Sequence, residues 1–254
     1  MTRLHVKNTR VYVDGYDLSG YERALSPATW AFDTNPDTAL SDECKNIVLG
    51  HPNIDFKSLD GFLDNDTAGK YALTSGGSGT RTVMVVTGTA NPAIIGNPVF
   101  AWKFEQNSFT VTPSNDGSFV AASTGFGAAS YAGILTYSKP WGSLLHPYGA
   151  ETDVNSSTGI DDNGASSAKG GIFCYQLFSS DGTVTLKVQD AATNSDGSFS
   201  DLSGATSGSI NASVTPAASM VALGTTATVK RYLRWQIALG TATTATFALA
   251  FIRG

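Results

Sequence analysis

The sequence predicts a mainly all-β fold, a β-sandwich or half-barrel with one short flanking α-helix. Composition is the first reason. The 254 residues include 27 glycines, Ala, Ser and Thr fill much of the rest, and charged residues make up only 15%, against about 25% in a typical globular chain. Such a chain favours short strands joined by small-residue loops. Alternation is the second reason. Phe100, Trp102 and Phe104 alternate with Lys103 and Glu105, Val184, Leu186 and Val188 with Thr185 and Lys187, and Phe247, Leu249 and Phe251 with Ala248 and Ala250. A period of two places one set on one face of a strand. The third reason is that the best helix candidate is a single short stretch, residues 40–50.

Taken in order, Leu4, Val6, Val11 and Val13 mark a strand or strand pair. Asp14-Gly15 then signals a turn, and Leu18 is a lone apolar anchor. Residues 22–37 carry two prolines around Trp30-Ala31-Phe32 and read as an extended arm or loop. Across 40–50, Leu40, Cys44, Ile47 and Val48 share one helical face, Ser41 can cap it and Gly50 can end it. Residues 53–65 fit either a strand or a helix. From residue 70 onward the signals are β: strands over 80–88, 98–106, 109–113, 115–121 and 131–137. Residues 139–170, whose second half is dominated by small, polar and acidic residues, read as an irregular insertion within a single domain spanning 1–254. Residues 171–179 and 182–191 predict a hairpin across Ser180-Asp181, followed by a turn at 196–204 and a strand at 206–214. Thr226–Gly254 predicts a terminal hairpin: Val229, Leu233, Trp235, Ile237 and Leu239 share a parity with Arg231 as the exception, and Gly240 supplies the turn. An arginine among apolar neighbours must find a partner for its charge.

The chemistry of enzymes is sought and not found. His5, His51 and His146 have no zinc spacing, and a lone loop histidine is expected to be solvated. There is no nucleophile elbow and no phosphate-cradling glycine loop. Asp153-x-Asn155 begins like a calcium loop but lacks its glycine and closing glutamate. No catalytic residue, cofactor or metal is therefore expected. Net charge is −5 with no basic run, so grip on a phosphate backbone is not expected. Cys44 and Cys174 are expected to be buried thiols. No apolar stretch approaches membrane-spanning length and no signal sequence opens the chain, so synthesis in the cytoplasm without a membrane span is expected. Of the four tryptophans, Trp102 and Trp235 sit in alternating strands and are expected in the core. Trp30, with Phe32, and Trp141 lie in irregular stretches near proline and are the candidate interface residues, since Trp is enriched at contact hot spots.

Several phrases together resemble a known family. RVYVDGYDLSGY at 10–21, GFLDND at 61–66, GTVTLKVQDAATNSDGSFSDLSG at 182–204, TATVKRYLRWQIAL at 226–239 and ATFALAFIRG at 245–254 are similar to the tail tube (major tail) proteins of long flexible-tailed bacteriophages. The resemblance covers residues 3–75 and 170–254 and does not reach the middle. It implies a virion protein of the tail, made in the host bacterial cytoplasm. Copies would form homo-hexameric rings that stack into a tube, contact other tail proteins, and let genomic DNA pass during ejection without specific binding. Two alternatives stand beside it: another phage structural protein (capsid decoration, tail terminator or baseplate ring), or a carbohydrate-binding β-sandwich module using Trp30 and Trp141.

Overall fold

The computed structural model describes residues 8–36, 47–64, 66, 69–88, 90–113, 120–129 and 139–254. The chain is mainly β, as its composition and alternation predict. In order the strands are β1 (Arg10–Val13), β2 (Tyr16–Asp17), β3 (Glu22–Leu25), β4 (Thr29–Pro36), β5 (Ile47–Asp55), β6 (Ser58–Phe62), β7 (Gly79–Val86), β8 (Pro98–Thr112) and β9 (Ala121–Ala129). They continue as β10 (Trp141–Glu151), β11 (Ile160–Asp161), β12 (Gly171–Ser180), β13 (Thr183–Ala191), β14 (Ser200–Thr206), β15 (Ile210–Asn211), β16 (Ala217–Ala222), β17 (Tyr232–Ala238) and β18 (Ala245–Arg253). One short helix, α1 (Lys70–Thr74), is present.

Eleven strands make one sheet in the order β16-β12-β18-β10-β8-β7-β1-β2, with β9, β6 and β3 branching from the far end of β8. This sheet curls into a half-barrel. The curl brings the β1–β2 turn against β12. Asp14 and Gly15 both have positive φ, 51° and 82°, as a two-residue type I′ hairpin turn demands. A Cβ on Gly15 would lie 2.6 Å from Pro216 Cβ and 2.7 Å from the Leu177 carbonyl, so only glycine fits where the flanks meet.

A second sheet, β11-β17-β13-β14 with β15 beside β13, covers the outer side of β12 and β18. The shared wall explains the terminal strand. Ala248, Ala250 and Ile252 of β18, with Ile172 and Cys174 of β12, belong to one core. Phe247, Leu249 and Phe251, with Phe173, Tyr175 and Leu177, belong to the other. The wall is apolar on both faces because both faces are covered, and the smaller residues of β18 point to the curled side.

This layering corrects both predicted hairpins. β12 pairs with β16 and β18, and β13 pairs with β14, β15 and β17. β17 lies in the second sheet beside β13, whereas β18 lies in the first between β10 and β12. Each connection is an arch from sheet to sheet. The two arches lie side by side, and Asp181 in one accepts hydrogen bonds from the Thr243 and Thr244 amides of the other at 2.8 and 3.0 Å.

Other expectations change too. Ile47 and Val48 lie in β5, not in a helix, and the first part of the helix candidate, 40–46, lies outside the described residues. Within 139–170, Trp141–Glu151 is a strand paired with β8 and β18; two register shifts break its alternation, which is why the sequence reads as irregular there. Residues 98–112 form one strand without the expected break. The strand predicted at 131–137 lies outside the described residues.

Candidate functional site

Two of the three candidate interface residues sit in elements that leave them open. Among the described residues β4 and β5 pair with each other and with no other strand, forming a two-stranded ladder outside both sheets. The base of this arm is anchored by Ile54 and Phe56, which are buried. Phe32 lies on β4 opposite Pro52 and is 37% exposed. Trp30 pairs with Ile54 in the same ladder, and its side chain lies outside the described residues. Of the expected arm at 22–37, Glu22–Leu25 is thus β3 of the first sheet and Thr29–Pro36 is one strand of this ladder.

Trp141 opens β10, opposite Phe100. Its ring packs 5.3 Å from the Phe100 ring yet remains 39% exposed. It borders a cavity of about 470 Å³ whose apolar walls are Val11, Leu25, Phe56, Val85 and Phe100. Ala28, just before β4, also lines it. The structure therefore brings Trp141 to the root of the arm, while Phe32 lies farther along it and is not part of the lining.

The sequence did not reveal how the polar side chains are used. Acidic side chains of residues 139–170 and of residues 194–201 hold cations of the protein itself. Asp161 accepts from Arg231 Nε and Nη2 at 2.7 and 2.5 Å, and the Arg231 hydrogen bond holds its carboxyl below the usual range. This supplies the partner that Arg231 needs, and Arg231 lies just outside β17 with its side chain 44% exposed. Asp196 pairs with Arg234, whose guanidinium lies 4.3 Å over the Phe199 ring. Asp162 and Arg253 are both buried. Arg253 donates to both carboxylate oxygens, to Ser167 Oγ, and to the Val229 and Lys230 carbonyls.

His146 also departs from expectation. It is buried in β10 rather than solvated. Its ring stacks 4.0 Å from Phe247 and meets Trp235 edge-on at 4.8 Å. Nδ1 is 3.2 Å from the Phe247 carbonyl oxygen and Nε2 is 2.9 Å from Glu151 Oε1. Burial lowers its pKa, partly opposed by the Glu151 bond. Trp102, Trp235 and Cys174 are buried as expected, and burial pushes the Cys174 thiol up to about 12. Cys44 lies outside the described residues. Lys70 of α1 is fully buried, donating to Glu22 at 3.0 Å and to the Leu59 carbonyl at 2.7 Å. Among the described residues, no group of three or more His, Cys, Asp or Glu side chains could hold a metal ion, and no helix is long and apolar enough to cross a membrane.

No family model and no curated protein sequence matches this chain. A solved structure to which it is similar is that of SPP1 Dit (gp 19.1), described as a paradigm of the hub adsorption apparatus in phages infecting Gram-positive hosts. Identity is 11%, over 97% of this chain and 99% of that one, with a TM-score of 0.31. A likeness of that strength transfers neither fold nor role.

Proposed function

We propose that this chain is a structural subunit of a bacteriophage virion, a tail tube protein that self-assembles into stacked hexameric rings and conducts DNA during ejection. The sequence resemblance supplies the family. The observation that carries the assembly reading is a sheet edge with no strand paired beyond it among the described residues. There β16 pairs with β12 on one side, and Ala217–Ala222 contains neither charge nor proline. An edge without such blocking residues is suited to a strand from another copy. The separate β4–β5 ladder, with Trp30 and Phe32, and the half-exposed Trp141 provide further contact surface. On this reading no residue is catalytic, no cofactor is used, the other partners are tail proteins, and the net charge of −5 disfavours sticking to DNA.

The test is assembly. Purified protein at rising concentration, followed by sedimentation velocity and negative-stain microscopy, should give rings or tubes. A lysine on the open edge, Ala222→Lys, should raise the concentration needed while leaving the melting temperature of the subunit unchanged. A protein that stays monomeric at every concentration overturns the proposal, and trimers that bind only preformed shells point to a capsid decoration protein instead.

A further inference from the structure

Two surfaces near opposite ends of β10 are both apolar and carry exposed charges of opposite sign. At its start, Trp141 borders the apolar cavity of about 470 Å³. Arg10 and Arg23 line the same cavity. Arg23 is exposed on β3, and no hydrogen bond or ion pair engages it among the described residues. Past the other end of β10, Val154 is 55% exposed. Asp153 beside it is exposed and likewise unengaged among the described residues, and Glu151 precedes it. The backbone under Val154 is fixed, because its carbonyl accepts from the Ile237 amide at 2.8 Å. One end of the strand thus carries an apolar knob flanked by carboxylates. The other carries an apolar hole edged by two guanidiniums; the carboxylate of Glu22 also lines it, but that group is ion-paired with the buried Lys70 at 3.0 Å. Val214 is more exposed than Val154, but its neighbours Ser213 and Thr215 bring no charge.

The geometry points to a head-to-tail contact in which Val154 of one copy enters the Trp141 cavity of the next, with Asp153 against Arg23. The occupant is a second copy of this chain, chosen by charge complementarity. The two surfaces lie roughly 30 Å apart by the rise of the intervening strand, so one copy cannot satisfy itself. A contact between different patches is heterologous, and it propagates into a ring or a filament rather than stopping at a dimer. This rests on the reading that the protein self-assembles and adds a second contact to the one proposed at the β16 edge.

Charge reversal tests it. Arg23→Glu and Asp153→Arg should each raise the concentration for assembly at low salt by at least about tenfold, because like charges then face each other. The double variant Arg23→Glu/Asp153→Arg should recover assembly, since the pair is restored with its polarity exchanged. Val154→Ser should weaken assembly without salt dependence. Circular dichroism on each variant checks that the subunit is folded. If the unmodified protein assembles but the reversals leave it unchanged, or the double variant fails to recover, this contact is wrong and the assembly reading stands. If the unmodified protein never self-associates, both are wrong.

Discussion

Gln176 accepts a hydrogen bond from the backbone N–H of Gly15 at 2.6 Å, although 161 residues separate them. Its other end donates to the Thr82 carbonyl at 3.0 Å. One buried amide thereby ties β12 to both the β1–β2 turn and β7, where no ladder joins them. Gln176→Leu keeps the volume and removes both bonds. The Thr82 carbonyl keeps the Asp14 amide as a donor at 3.1 Å, but the Gly15 N–H is left buried without a partner. Such a group costs about 1–3 kcal/mol. We expect a loss of that size, read as a lower denaturation midpoint at unchanged denaturant slope. A midpoint within error of the parent's would show that the half-barrel is held by packing alone.

The sequence made the strands legible and the sheets illegible. Phe247, Leu249 and Phe251 announce a strand with one strongly apolar face, and that face is buried. The opposite face of Ala248 and Ala250 is buried as well, which small residues do not advertise. The same limit hid the arches. A strand alternates identically whether its neighbour in sequence lies beside it or across the core, and Gly240 turns the chain in either case. Ile47 and Val48 show the converse: their spacing suits a helix, but in β5 the ladder with β4 decides. Of the candidate interface, Trp141 was legible because proline and glycine neighbours mark an open stretch. The cavity that it borders was not, being assembled from β1, β3, β7 and β8.

The Asp162–Arg253 pair locks the loop before β12 onto the end of β18. Both side chains are almost wholly buried, 5% and 6% exposed. Asp162→Ala strands the arginine charge in the interior, and we expect about 3–5 kcal/mol of destabilisation. Replacing both, Asp162→Leu with Arg253→Met, should cost less than the single change, because the remaining charge is gone. A double variant as unstable as Asp162→Ala would show that Arg253 acts through its carbonyl contacts rather than its charge.

Two groups give stability separate pH windows. His146 has its pKa lowered by burial, so the unfolded chain takes up its proton first as pH falls. Its contribution is complete above about pH 6.5 and is lost as pH drops below that value toward the folded pKa. Asp181 is held at about 2 by its bonds to Thr243 and Thr244. Its contribution is present above about pH 4 and is lost between there and about pH 2. The melting temperature should therefore fall in two stages on acidification. His146→Phe should flatten the first stage and Asp181→Asn the second. A single stage unaffected by either change would contradict both assignments.

Arg231→Glu separates a surface pair from the buried ones. The sequence places Arg231 among apolar neighbours and predicts harm from reversing its charge. The structure sets it outside β17, with its side chain half-exposed and facing Asp161. Reversal puts two carboxylates together, yet both can turn into water, where exposed pairs contribute little. We expect a small drop in melting temperature that shrinks as salt screens the repulsion, and unchanged assembly. A large, salt-independent loss would mean that the arginine stem packs against the sheet.

The two faces of β18 should respond oppositely to volume. Phe251 fills the core between the sheets, against Gly171, so Phe251→Ala opens a cavity and should cost about 3–5 kcal/mol. Ala250 points into the curled side, level with Leu144 of β10 and Cys174 of β12. There Ala250→Leu adds volume inside the buried core on the curled side, and overpacking should cost about 1–3 kcal/mol. Were the small residues there only by chance, the larger side chain would be accommodated, and Ala250→Leu would match or exceed the parent in stability. Urea unfolding of the two variants decides between these outcomes, because the alternation of large and small along β18 has a purpose only if both substitutions destabilise.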